Sequence, residues 1–302
     1  MSGLNSSKKI VVLGTAMWGW SISKNEAYSI LENFLASGGS FIDTASNYPI
    51  NKCKKDHGLA LNWLLDWKKS NPHSKMSLIV KIGSKDNLGG PDIDLTPKNI
   101  LETTKKMSDL FENSLSCISI HWDNRCEKAS DLLSIDQTVE AMTRVHDSGL
   151  HVGFSGIKNP KQYYLSNPNL SDDWVIQVKE NFINKEARLF YETYFPRARY
   201  LAYGINMGGV KLECLDGYVG LRKIKGDPEL IERARAFIKS KVGLNPSPKN
   251  INQISIALAH SNPSLAGIVI GPSNLGQLEE SIKYWIDLEV SGNSPTWLKS
   301  FS

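Results

Sequence analysis

Short apolar, β-branched segments recur along the chain, and each is followed by a longer stretch whose apolar positions return at helical spacing. The short segments are Ile10–Val12, Ser40–Asp43, Leu78–Lys81, Cys117–His121, His151–Ser155 and Trp174–Val178, with Tyr200–Tyr203 and Ala266–Ile270 after them. Runs that are apolar on consecutive positions, rather than on alternate ones, predict parallel strands covered on both faces. The longer stretches carry helix starts. Ser23 stands three residues before Glu26, a capping box, ahead of Ala27, Ile30, Leu31 and Phe34, and Gly38-Gly39 supplies the stop. Thr96-Pro97, Asn159-Pro160 and Asp227-Pro228 each place a capping side chain before a proline at the first helical position.

Eight alternating βα units, with no break in composition and no linker, predict one closed (β/α)8 TIM barrel, a single α/β domain over residues 1–302. A doubly wound sheet would open with Gly-x-Gly-x-x-Gly after its first strand, and Leu13-Gly14-Thr15-Ala16-Met17-Trp18-Gly19 stands there instead. The long interval between the last two strands predicts an enlarged loop and an extra helix around 206–246. It holds a segment Leu212–Gly226 and helices near Pro228–Val242 and Pro248–Ser261, and a tail follows at 289–302.

Composition narrows the function more than the fold. The chain has 35 Lys plus Arg against 31 Asp plus Glu, a net charge of +4, with 41% hydrophobic residues, which is the balance of a globular protein. The basic residues lie in scattered pairs such as Lys54-Lys55 and Lys105-Lys106, so nucleic acid is not an expected partner. No apolar run is long enough to span a bilayer and no secretory signal opens the chain, so a membrane is not expected either, and the default location is the cytoplasm. Cys53, Cys117, Cys126 and Cys214 form no Cys-x-x-Cys pair, and the other histidines, His57, His73, His146, His151 and His260, show no metal-ligand spacing. A metal is therefore not expected. Gly89-Gly90 and Gly208-Gly209 lack the Walker pattern.

The candidate chemistry sits at the ends of the predicted strands, where barrels of this kind build their active sites. Asp43 ends the second strand, Lys81 the third and His121 the fourth, and Tyr48 follows Asp43 by five residues. An unpaired ammonium among apolar residues is costly, so Lys81 needs a partner, and Asp43 on the neighbouring strand is the candidate. Lys81 would then stabilise the Tyr48 phenolate and make the phenol, whose ordinary pKa is about 10, a general acid near neutrality. His121 would orient a substrate carbonyl by donating a hydrogen bond. Trp18, Trp20 and Trp122, in the loops after the first and fourth strands, are candidates for an aromatic wall at the mouth.

Phe41-Ile42-Asp43-Thr44-Ala45-Ser46-Asn47-Tyr48, Ile79-Val80-Lys81-Ile82-Gly83 and Ile118-Ser119-Ile120-His121-Trp122-Asp123 together resemble the aldo-keto reductase family, supplying Asp, Tyr, Lys and His in the order of its catalytic tetrad. The likeness continues through Ser148–Ser155, Gln177 with Asn181, and Ile270-Gly271-Pro272-Ser273-Asn274. The resemblance implies an NADPH-dependent oxidoreductase, with NADH as the alternative cofactor, that reduces an aldehyde or ketone, including sugars, or runs in reverse on an alcohol. It implies Tyr48 as proton donor, tuned by Lys81 and Asp43, with His121 holding the carbonyl. Substrate contacts fall to Trp18, Trp20, Tyr48, His121 and Trp122. Cofactor contacts fall to Gly14, Thr15, Ala16, Asp43, Ser155, Gln177, Tyr203, Met207, Gly208, Ser273, Asn274, Gln277 and Glu280. Gly156, Ser281 and Pro49 depart from the family pattern, which has Asn, Asn and Gly there. The first two departures motivate an alternative, an NADP(H)-binding regulatory or accessory subunit with little turnover. A third reading is a cofactor-free lyase or epimerase with Lys81 as a Schiff-base amine.

Overall fold

The computed structural model describes residues 4, 8–181, 184–206, 218–219, 224–225, 232, 236 and 246–292. Eight parallel strands close into a barrel: β1 (Ile10–Gly14), β2 (Phe41–Ala45), β3 (Ser77–Ile82), β4 (Leu115–Ile120), β5 (His151–Phe154), β6 (Trp174–Lys179), β7 (Arg199–Tyr203) and β8 (Leu265–Ile270). They neighbour one another in chain order, and β1 pairs with β8 to complete the ring. This is the (β/α)8 barrel that the spacing predicts. The helices described around it are α1 (Lys24–Ala36), α2 (Leu59–Ser70), α3 (Pro97–Phe111), α4 (Ala129–Asp147), α5 (Pro160–Ser166), α6 (Glu186–Glu192), α7 (Ile251–Ser261) and α8 (Leu275–Ser291).

Three of the four capping signals act as read, and the fourth, at Asp227, lies outside the described residues. Ser23, Thr96 and Asn159 each accept a hydrogen bond from the backbone N–H three residues on, and so satisfy a donor that the first helical turn leaves free. The helix expected from Pro248 starts later, at Ile251, because the Asn250 side chain caps it through the Gln253 N–H. Within the segment expected at Leu212–Gly226 the structure forms a short antiparallel ribbon, Tyr218–Val219 with Ile224–Lys225, that the hydrophobic pattern did not announce. The expected helix Pro228–Val242 lies largely outside the described residues, as does the end of the tail. Among the described residues, no helix is long and apolar enough to cross a membrane.

Alternation along the strands sorts the core into two clusters. Val12, Phe41, Ile79, Cys117, Val175 and Leu201 point into the barrel and pack together with Leu4. Their neighbours in sequence, among them Leu13, Ile42, Val80, Ile118 and Ile176, point outward against the helices. Two residues further along each strand, and so on the same inner face, come Gly14, Asp43, Lys81, Ser119, Gln177 and Tyr203. The barrel interior therefore changes from an apolar layer to a polar one towards the C-terminal ends of the strands.

Candidate active site

The polar layer is centred on one ion pair. Lys81 Nζ donates to both carboxylate oxygens of Asp43, and the two side chains are only 3% and 6% exposed. Gln177 Nε2 reaches across the barrel to Asp43 Oδ1 at 2.7 Å. The Asp43 carbonyl accepts from the Thr15 N–H at 3.0 Å and its hydroxyl at 3.1 Å, which locks β2 to the end of β1. Burial opposes the Lys81 charge, but Asp43 and Tyr48 outweigh it and raise the lysine pKa above its ordinary value. Lys81 is an ammonium at any physiological pH.

Tyr48 is carried over this pair by a tight turn after β2, closed by the Tyr48 N–H to the Ala45 carbonyl at 3.2 Å, and its peptide bond to Pro49 is cis. Its ring centroid stands 5.0 Å from Lys81 Nζ and 5.4 Å from the His121 ring, edge to face. The phenol does not have the lowered pKa that the sequence suggests. Burial raises it, and the nearby ammonium only partly offsets that effect because the same charge is shared with Asp43. Tyr48 is thus held protonated, the state a proton donor needs.

His121 lies just beyond β4, 8% exposed. Burial, aided by the Lys81 charge, pushes its pKa well below the usual value, so the imidazole is neutral at pH 7. Its Nδ1 lies 3.1 Å from Asn47 Oδ1 and 3.2 Å from Ser84 Oγ, and its ring tilts against Trp122 with centroids 4.2 Å apart. Beside this cluster opens a cavity of about 600 Å³ lined by Trp20, Ile50, Gly89, Gly90, Pro91, Trp122 and Asn124. Two of the three expected wall residues face it. Trp18 does not: it is fully buried in the outer core, because a turn with Gly19 at φ +79° sends Trp18 inward and leaves Trp20 47% exposed.

Residues 10–189 match the model of the "Aldo/keto reductase family". The chain belongs to the aldo/keto reductase family. Protein tas of Escherichia coli (strain K12) and protein tas of Shigella flexneri are each 23% identical to it, over 92% of this chain and 90% of theirs. Aldo-keto reductase AKR11C1 from Bacillus halodurans (holo form) shares the fold, with a TM-score of 0.66 at 15% identity over 93% of this chain and 91% of that one. Aldo/keto reductases are oxidoreductases that in general use a nicotinamide cofactor on carbonyl compounds.

The residues present fit such a cofactor. Ser155, Gln177 and Tyr203 stand at the C-terminal ends of β5, β6 and β7, so a hydroxyl, an amide and a phenol share one rim. Between β8 and α8, Gly271 has nothing within 4 Å of the place where a Cβ would stand, which leaves backbone open to close approach. Ser273, Asn274 and Gln277 gather at the start of α8, with Asn274 as its cap and Gln277 Oε1 accepting from the Ser273 N–H at 2.9 Å. Glu280 is already engaged, accepting from Asn250 at 2.6 Å and Gln253 at 3.1 Å and so tying α8 to α7. Ser281 likewise bonds Asn252 at 2.9 Å. Gly14 and Ala16 flank Thr15 at the end of β1, and Met207 and Gly208 lie outside the described residues. Among the described residues, no cluster of three or more His, Cys, Asp or Glu could hold a metal ion. Asn47, Ser84, Ile50, Pro91 and Asn124 join the site without being among the residues expected there. Only Asn47 carried a signal, its place beside the tyrosine.

Proposed function

We propose that this protein is an NADPH-dependent oxidoreductase, with NADH as the alternative cofactor, that reduces an aldehyde or ketone to an alcohol or catalyses the reverse. The observation that carries the reading is the convergence of Tyr48, Lys81, Asp43 and His121 on one buried rim beside an open cavity. Bound along the rim of Ser155, Gln177 and Tyr203, the cofactor supplies the hydride. The protein supplies everything else.

Tyr48 holds a proton at its phenol oxygen and gives it to the carbonyl oxygen as negative charge builds there. The phenolate left behind faces the Lys81 ammonium, whose charge and position Asp43 maintains, and Gln177 in turn holds the Asp43 carboxylate. A positioned acid of this kind contributes about 10²–10⁴-fold to the rate. His121, neutral beside Tyr48, orients the substrate, and the indoles of Trp20 and Trp122 offer it apolar surface. NADPH is preferred on the family's general habit, and the same reading makes residues 1–302 one barrel domain working in the cytoplasm on a small carbonyl or alcohol.

The test is a panel of aldehydes, ketones and keto-sugars offered with NADPH and with NADH, following loss of the reduced cofactor's absorbance. Turnover of at least one class, with a preference between cofactors, is expected. Failure of the whole panel with both cofactors, while the folded protein binds them, would overturn the reading.

A further inference from the structure

The chain leaves β4 as His121-Trp122-Asp123-Asn124-Arg125, and the middle residue of that run is held through both its side chain and its backbone. The Asp123 side chain is only 1% exposed. Its carboxylate accepts from Arg125 Nε at 2.9 and 3.1 Å, from Arg125 Nη2 at 2.7 Å, from the Arg125 N–H at 2.9 Å and from the Tyr163 hydroxyl at 2.7 Å. Burial and the Asp123 charge keep the Tyr163 phenol protonated, so α5 supplies a donor. The Arg125 guanidinium also donates to α4, at Ser134 Oγ (3.1 Å) and Thr138 Oγ1 (2.9 Å). On the backbone, the Asp123 N–H donates to the Gly156 carbonyl at 2.7 Å and the Asp123 carbonyl accepts from the Lys158 N–H at 3.0 Å, which ties the loop to the one after β5.

A buried carboxylate needs a counter-charge, and this loop carries its own two residues on, in a forked geometry that only a guanidinium supplies. Neither member of the pair lines the cavity. Trp122 and Asn124, on either side of Asp123, do. Trp122 also lies against the His121 ring, with centroids 4.2 Å apart, and Asn124 Nδ2 donates to the carbonyl of Pro91, another lining residue, at 3.2 Å. Fixing Asp123 therefore fixes the two lining residues that flank it. We propose that Asp123 and Arg125 are positioning residues for substrate selection: their ion pair, tied to α4, α5 and the loop after β5, sets the place of Trp122 at the cavity and so favours carbonyl compounds that present a flat, apolar ring to the indole. The inference rests on the carbonyl-reductase reading above and adds to it residues that touch neither substrate nor cofactor. Asp123→Asn removes the charge from the pair, and Arg125→Lys keeps a charge but loses the fork.

Two measurements decide it. The chain has eight tryptophans, so protein labelled with 5-fluorotryptophan is read by 19F NMR, with the Trp122 line assigned by its loss in Trp122→Phe and the Trp67 line, from α2, by its loss in Trp67→Phe. Asp123→Asn and Arg125→Lys should shift or broaden the Trp122 line and leave the Trp67 line in place. A Trp122 line unmoved in both variants, or both lines changed alike, overturns the proposal, and Arg125→Lys alone suffices if Asp123→Asn does not fold. In the second measurement, kcat/KM is compared for 2-naphthaldehyde and propanal, with NADPH binding followed in parallel. The ratio should fall about tenfold in both variants, chiefly through KM for the naphthaldehyde, with NADPH affinity within about twofold of wild type. An unchanged ratio would overturn the proposal. If the wild type turns over no carbonyl at all, the proposed function falls while the 19F spectra, which need no turnover, still decide whether the pair positions Trp122.

Discussion

Replacing Lys81 with Met keeps the length of the side chain and removes its charge, leaving the Asp43 carboxylate in the barrel with Gln177 Nε2 as its remaining side-chain donor. Both members of the pair are nearly inaccessible, at 3% and 6%, so solvent does little to screen the loss. Breaking a buried pair from one side costs about 3–5 kcal/mol. At about 2.1 cal/mol/K of unfolding entropy per residue, a chain of 302 residues translates this into a fall in melting temperature of about 5–8 °C. The companion variant Asp43→Leu should cost a similar amount by stranding the ammonium. The double variant should cost far less than the two singles together, since neither charge is then left alone. An isolated carboxylate in that layer escapes by taking up a proton, so the deficit of Lys81→Met should narrow at acid pH. Scanning calorimetry of the four proteins at pH 7 and at pH 5 reads all of this. Additive losses, or a Lys81→Met protein as stable as wild type, would refute the coupling.

Gly153 and Gly156 make a contrasting pair. A Cβ on Gly153 would overlap the Val175 carbonyl of the next strand, so Gly153→Ala should cost about 1–3 kcal/mol by urea denaturation, whereas Gly156→Ala, whose nearest neighbours stand at 3.9 Å, should cost little. His121 has its pKa lowered below 6.5 on folding, so it binds fewer protons folded than unfolded. Its contribution to stability is present above pH 6.5 and is lost as pH falls through the folded value, and His121→Gln should flatten the pH slope of stability below 6.5. Trp20→Ala should leave the melting temperature nearly unchanged but raise KM for bulky apolar carbonyls, because the indole is 47% exposed at the cavity. Trp18→Ala, fully buried, should cost about 3–5 kcal/mol.

The barrel was legible because strand burial and helix capping are local. Most strand segments carry apolar residues on consecutive positions, and Ser23, Thr96 and Asn159 cap helices that begin at the next residue. Asp43, Lys81 and His121 were legible for a related reason: polar groups at the ends of apolar runs need partners, and neighbouring strands supply them. What the sequence left hidden depends on distance along the chain. Asn47 and His121 are 74 residues apart and meet only because the loop after β2 folds back over β4. The direction of the Tyr48 pKa turns on burial outweighing one shared charge, a balance that no motif expresses. Trp18 and Trp20 differ in fate through one glycine turn, and the binding of Glu280 to Asn250 and Gln253 needs two helices to dock first.

The role of Tyr48 as proton donor in hydride transfer is tested by comparing wild type with Tyr48→Phe on the best substrate of the carbonyl panel, with cofactor binding measured in parallel by fluorescence titration. Cofactor binding should stay within about twofold of wild type while kcat falls about 10²–10⁴-fold, since only the acid is missing. A Tyr48→Phe protein that binds the cofactor and keeps wild-type kcat would contradict that role.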